Sequence, residues 1–191
     1  ILSDLDLMKI THLSRNGFSV GRVSTLYYKG TPLERALDNL FMDVDRAYRM
    51  GANILILSDR GVDENHVALP SLLCVSAVNN YLVNTKKCMA MSLILETGEP
   101  RDVHHFATLL GFGACAVNPY VAHATIKELI DDGILNKDYY AAAFDYDRAI
   151  LDGIVKIASK MGISTIQSYQ GSRIFEAIGI SQPVIDRYFT K

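Results

Sequence analysis

Apolar residues along this chain recur in two rhythms. Between Thr31 and Gly51 the positions Leu33, Ala36, Leu37, Leu40, Phe41, Val44 and Ala47 fall three or four apart, the period of an amphipathic helix. Thr31-Pro32 marks its start and Gly51 its stop. Before it, Ser19 to Tyr28 is rich in β-branched and aromatic residues and ends at Lys29-Gly30, which predicts a strand and a turn. After it, Asn53 to Leu57 (NILIL) is a short apolar run, as expected of a strand covered on both faces.

The pattern then repeats. Pro70 to Asn84 reads as a helix, Cys88 to Leu95 as a buried strand, Asp102 to Leu110 as a helix and Ala114 to Val117 as a short strand. Tyr120 to Asp132 and Tyr140 to Met161 read as helices around a loop at 133–138, followed by a strand at Ile163 to Ile166 and a helix at Ser172 to Ile178. Alternation of this kind predicts an α/β fold of βα units with a mainly parallel sheet, joined by right-handed crossovers. Near the end, Val184, Ile185, Tyr188 and Phe189 fall at helical spacing, and either close the core or face a neighbour.

Composition narrows the class. The 191 residues suit one domain, and 49% hydrophobic against 21% charged residues is too apolar for a disordered tail. Nineteen Lys and Arg against 21 Asp and Glu leave no positive excess for phosphates, so nucleic acid is an unexpected partner. No apolar run is long enough for a membrane span and no signal segment opens the chain, so a cytoplasmic protein without a membrane partner is expected. Cys74, Cys88 and Cys115 lack metal or disulfide spacing and sit in apolar runs, which predicts buried, reduced thiols. The chain begins at Ile1 rather than at Met, as expected of a piece of a longer one.

Sites in parallel α/β folds gather at the carboxyl ends of the strands. There stand Ser58-Asp59-Arg60, Glu96-Thr97, Asn118-Pro119-Tyr120 and Gln167-Ser168-Tyr169. They form either a shared polar rim or the ordinary turn and cap residues of βα junctions. Asp59, Asp63, Glu64 and His66 share one loop but match no metal-ligand spacing. His104 and His105, at consecutive helical positions about 100° apart, cannot share one ion, and one is expected to face the core or a neighbour. Gly111, Gly113 and Ala116 fit the letters of a dinucleotide fingerprint, yet follow a helix and precede a strand, the reverse of the order that cradles phosphate. No serine-nucleophile elbow occurs, and no cysteine lies beside an obvious base.

Several stretches resemble the central domain of the glutamate synthase large (alpha) subunit: Ile56 to Asp63 (ILSDRGVD), Glu96-Thr97-Gly98-Glu99 with Arg101 and His104-His105-Phe106, and Leu109 to Tyr120 (LLGFGACAVNPY). Lys156 to Ser168 (KIASKMGISTIQS), with Tyr169, Gly171, Ile174-Phe175-Glu176-Ala177 and Gly179, continues the likeness, and Ile1 to Ser3 resembles the domain's beginning. Gln170 stands where that family usually shows arginine.

The resemblance implies a partial TIM-barrel-like fold in residues 1–191, a single connecting domain with no chemistry of its own. Its partners would be the glutaminase and FMN-binding domains of the same parent chain, and a small reductase subunit. The parent would make glutamate from glutamine and 2-oxoglutarate, passing ammonia through a tunnel. FMN and an iron-sulfur cluster would belong to that parent, and no cofactor to this segment. Strand-end position, rather than the resemblance, nominates Ser58, Asp59, Arg60, Glu96, Thr97, Asn118, Tyr120, Gln167, Ser168 and Tyr169 as an interdomain or tunnel-facing rim. The rival reading is a stand-alone βα small-molecule binder or enzyme working through Asp59, Glu96 and Tyr169.

Overall fold

The structure, a computed structural model, describes residues 1–13, 15–172 and 174–189. Its centre is a four-stranded parallel sheet, built from β1 (Val20–Ser24), β3 (Ile54–Ser58), β5 (Ser92–Glu96) and β6 (Ala114–Asn118), in that order. Helices α2 (Leu33–Arg49), α3 (Ser71–Asn84) and α4 (Val103–Gly111) lie in the connections between parallel neighbours. The sheet is open, with strands in the sequential order of part of a barrel.

Side-chain alternation divides the sheet into two faces. Val23, Leu55, Leu57, Leu93, Leu95 and Val117 join Leu37, Leu40 and Val44 of α2, Val75 and Val78 of α3 and Phe106 and Leu109 of α4 in the main core. The other face carries Val20, Ile54, Ile56, Ile94 and Ala116, which pack with Leu7 and Ile10 of α1 (Asp4–Thr11). Leu7 is the one wholly buried residue of α1. Helices α5 (Tyr120–Asp131) and α6 (Tyr139–Lys160) follow β6, with Ile150 and Ile154 of α6 reaching the main core.

The amphipathic reading of α2, the buried run of β3 and the short strand β6 are found as expected. Other segments differ. The single strand expected over Ser19 to Tyr28 divides at Thr25, whose backbone N–H and hydroxyl both bond Ser58 O. Leu26–Tyr28 then leaves the sheet as β2 and pairs antiparallel with β4 (His66–Ala68). The strand expected from Cys88 starts at Ser92, because a turn bonded to Leu82 O occupies residues 87–90. Ile163 to Ile166 is not a strand: Thr165 caps the short helix α7 (Ile166–Tyr169) by accepting from Ser168 N. No helix forms at 172 and 174–178; residue 173 lies outside the described residues.

Cys74 is buried in α3, but Cys88 and Cys115 are exposed, because one sits on that turn and the other is the extra residue where the β5–β6 register shifts between Ala114 and Ala116. Both His104 and His105 are exposed; His105 turns back so that its Nδ1 lies 3.1 Å from the Arg101 amide. The closing segment, α8 (Gln182–Val184) with a π turn at Ile185–Phe189, completes the main core. Tyr188 is buried, and its carbonyl accepts from Ser76 Oγ and Asn80 Nδ2 of α3. No described helix is long and apolar enough to cross a membrane.

Candidate functional site

The sheet register puts Ser24, Ser58, Glu96 and Asn118 side by side in the last row of the four strands. All four lie on the face covered by α1, since Val20, Ile56, Ile94 and Ala116 precede them by even steps. Arg22 stands two residues earlier on β1, in the row of Ile56, Ile94 and Ala116. That offset of about 7 Å along the strand is within reach of an arginine side chain.

Glu96 is the centre of the arrangement. Its side chain is 4% exposed, yet it accepts from Ser58 Oγ at 2.5 Å, from Arg60 Nε at 2.5 Å and from Arg22 Nη2. Burying a carboxylate is costly unless its lone pairs are filled by charged or polar donors. Three donors do so here, two of them charged. Arg22 Nη2 also donates to Ser58 Oγ at 3.0 Å.

The next residue along each strand points the other way. Asp59 accepts from Thr97 Oγ1 at 2.6 Å and from Gly98 N at 3.0 Å, while the backbone amides of Asp59 and Thr97 extend the ladder to Glu96 O and Asn118 O. Tyr120 connects the two carboxylate clusters. Its hydroxyl bonds Asp59, and its ring lies beneath the Arg60 guanidinium, 4.1 Å from centroid to Cζ. Partial burial and the bond to Asp59 push the phenol up to about 12. Partial burial disfavours the Arg60 charge, but Glu96 and Asp4 outweigh it and raise the guanidinium above its ordinary value.

The first turn of α1 closes this rim. Ser3 and Asp6 cap the helix reciprocally, and Asp4 projects toward the strand ends, where Oδ1 accepts from Arg60 Nη2 at 3.2 Å and from Asn118 Nδ2 at 2.9 Å. Asn118 Nδ2 also donates to Leu2 O, and Leu2 N donates to Val117 O. Asn118 Oδ1 is buried and meets no hydrogen-bond partner among the described residues. Nearby, buried His123 of α5 holds Asp147 of α6 at 3.0 Å.

Ser58, Asp59, Arg60, Glu96, Thr97, Asn118 and Tyr120 therefore form one bonded cluster. Gln167, Ser168 and Tyr169 do not join it. Without a strand at 163–166, nothing carries them to the carboxyl edge, and α7 docks against the end of α4 and the beginning of β6. Tyr169 is buried with its hydroxyl donating to Ala107 O, Gly171 N donates to Gly111 O, and Gln170 Nε2 donates to Ala114 O. Gln167 and Ser168 are exposed.

The loop candidates also separate. Asp59 belongs to the rim, whereas Asp63 accepts from the amides of Asn65 and His66 and faces the His66 ring at 3.0 Å. Those bonds hold the Asp63 carboxyl below its usual range. Among the described residues no three His, Cys, Asp or Glu side chains gather to hold a metal. Burial pushes the Cys74 thiol up, away from the thiolate a metal would need.

Sequence reasoning missed Asp4, Arg22 and the His123–Asp147 pair. The Ser3-Asp4-Leu5-Asp6 spacing is a capping signature that could have announced α1. Even spacing from Ser24 could have placed Arg22 on the rim face. The meeting of His123 with Asp147 depends on how α5 and α6 pack and has no local signal.

A glutamate synthase central domain model matches residues 1–181. The chain is 49% identical over 158 residues to the glutamate synthase [NADPH] large chain of Bacillus subtilis, covering 83% of this chain and 10% of that protein. It is 40% identical over 156 residues to the glutamate synthase [NADH] of Schizosaccharomyces pombe, covering 81% and 7% respectively. It is 38% identical over 186 residues to ferredoxin-dependent glutamate synthase 2 of Synechocystis, covering 89% and 12%. The chain thus spans about a tenth of the length of such relatives.

Proposed function

Because this chain belongs to the family of glutamate synthase central domains, we propose that residues 1–191 act as a single connecting domain of a longer parent chain. It would sit between a glutaminase domain and an FMN-bearing synthase domain, with the strand-end rim bordering the path by which ammonia passes. The parent reaction would be the formation of glutamate from glutamine and 2-oxoglutarate.

The observation that carries this reading is the full engagement of the two rim carboxylates. Catalytic carboxylates need a substrate proton or a water within reach, whereas Glu96 and Asp59 are held by Ser58, Arg22, Arg60, Thr97, Gly98 and Tyr120. Such a network makes a rigid polar surface. Ammonia is readily protonated in water, so its path favours neutral hydrogen-bonding groups away from bulk solvent. Ser58, Thr97 and Asn118 are neutral and buried, and suit that task.

Relatives named for NADPH, NADH and ferredoxin share this segment. That supports a role independent of how electrons enter, with FMN and the iron-sulfur cluster held elsewhere in the parent. Exposed Tyr140, Phe144, Leu151 and Val155, spaced as one stripe on α6, offer apolar area for a neighbouring domain.

The test is made in the parent enzyme by replacing Ser58, Thr97 and Asn118 singly and measuring glutamate formed per glutamine hydrolysed. A lower ratio with intact glutaminase activity is expected for at least one variant. An unchanged ratio in all three rejects the assignment.

A further inference from the structure

Between α1 and the strand ends lies a cavity of about 230 Å³, bounded by Asp4, Leu7, Met8, Arg22, Arg60 and Glu96. We infer that this cavity binds the carboxylate group of a small organic anion, and that Asp4 is its built-in occupant. The inference goes beyond the connecting role and does not depend on it.

A guanidinium offers donors on three nitrogens in a planar fork. The hydrogen bonds to Glu96 and Ser58 engage Arg22 through Nη2, and those to Glu96 and Asp4 engage Arg60 through Nε and Nη2. Both side chains remain open to solvent, at 48% and 39%. Glu96 is 4% exposed and holds both heads from beneath. The donors are therefore aligned before any ligand arrives.

Charge supplies the second step. Two guanidiniums face two carboxylates, Glu96 from the sheet and Asp4 from α1. These differ in how firmly they are placed. The Asp4 side chain is 62% exposed, on a helix with one wholly buried residue, and it meets Arg60 at 3.2 Å and Asn118 Nδ2 at 2.9 Å. A carboxylate from solution can take the Arg60 donor that Asp4 occupies, leaving Asp4 to water. Its volume is below the usual range of about 300–1,000 Å³ for ligand pockets, so a compact anion fits it best. Occupancy by such an anion would release the first turn of α1 from Arg60, a coupling between ligand and helix position.

The experiment uses this chain, labelled with ¹⁵N, and follows the arginine Nε–Hε signals during addition of sodium acetate, with sodium chloride at matched ionic strength as control. Acetate is expected to shift the Arg60 and Arg22 signals saturably while chloride does not. Asp4→Ala removes the internal competitor and should tighten acetate binding by about tenfold. Asp4→Asn should tighten it in the same direction, and Arg60→Gln should abolish the response. Equal responses to acetate and chloride, or equal affinities in the unsubstituted chain and both Asp4 variants, overturn the inference. These readouts come from the isolated chain, so they can fail while the coupling ratio of the parent enzyme still responds as proposed, and the reverse.

Discussion

Replacing Glu96 by Ala is the most direct test of the rim as a structural unit. The substitution deletes the acceptor shared by Ser58 Oγ, Arg60 Nε and Arg22 Nη2. Breaking a fully buried ion pair typically costs about 3–5 kcal/mol, because the remaining charge stays uncompensated. Here the arginines are 48% and 39% exposed, so water can resolvate them and the cost must be discounted. Against this, Ser58 Oγ loses its acceptor and keeps only the Arg22 and Arg60 N–H donors, and a side-chain-sized void opens beneath the strand ends. The balance is a loss of about 2–3 kcal/mol, which for a chain of this size lowers the Tm by roughly 5–10 °C. Glu96→Gln keeps the shape and one acceptor oxygen and should lose about half as much. Urea unfolding and calorimetry of the three proteins measure both quantities. If both variants stay within about 0.5 kcal/mol of the unsubstituted chain, the range of neutral surface changes, the rim is not a stabilising network.

Three further outcomes test other parts of the fold. Ser3→Ala removes the capping box of α1 and should cost about 1 kcal/mol, read as faster amide exchange confined to residues 4–11. Gly113→Ala should cost about 1–3 kcal/mol in chemical denaturation, because Gly113 has φ +119° and an added Cβ would meet the Asn79 side chain at 2.6 Å. Partial burial works against the Asp45 charge, but Lys87, the Tyr81 hydroxyl and Arg49 outweigh it and hold the carboxyl below its ordinary 3.8. Since the folded value lies below the unfolded one, the contribution of Asp45 is fully present above about pH 4 and is lost as pH falls through the folded value. Asp45→Asn should therefore flatten part of the acid limb of a stability–pH curve, and an unchanged limb would assign it to other groups.

Local pattern carried much of this protein. The spacing of Leu33, Leu37, Leu40 and Val44 names both α2 and its buried face, and ILIL and SLIL mark strands covered on two sides. In each case the signal repeats within a few residues, so a buried face imposes its period on the chain directly. The polar residues that follow those strands were legible for the same reason: a parallel strand's end is marked by the change from apolar to polar. Where a segment is short and mostly exposed, as at 163–166, β-branched composition lacked a pairing partner and the Thr165 cap prevailed.

Only the tertiary structure decided which polar groups meet. Register aligned Ser58, Glu96 and Asn118, which are separated by dozens of residues, and α1 brought Asp4 back across the sheet to Arg60 and Asn118. The same packing sent Tyr169 to the opposite end of β6 and opened Thr25 as the point where β1 and β2 part. Periodicity records which side of an element is buried. It does not record which distant element covers that side, and the energy that chooses the cover belongs to contacts formed only when the chain has folded.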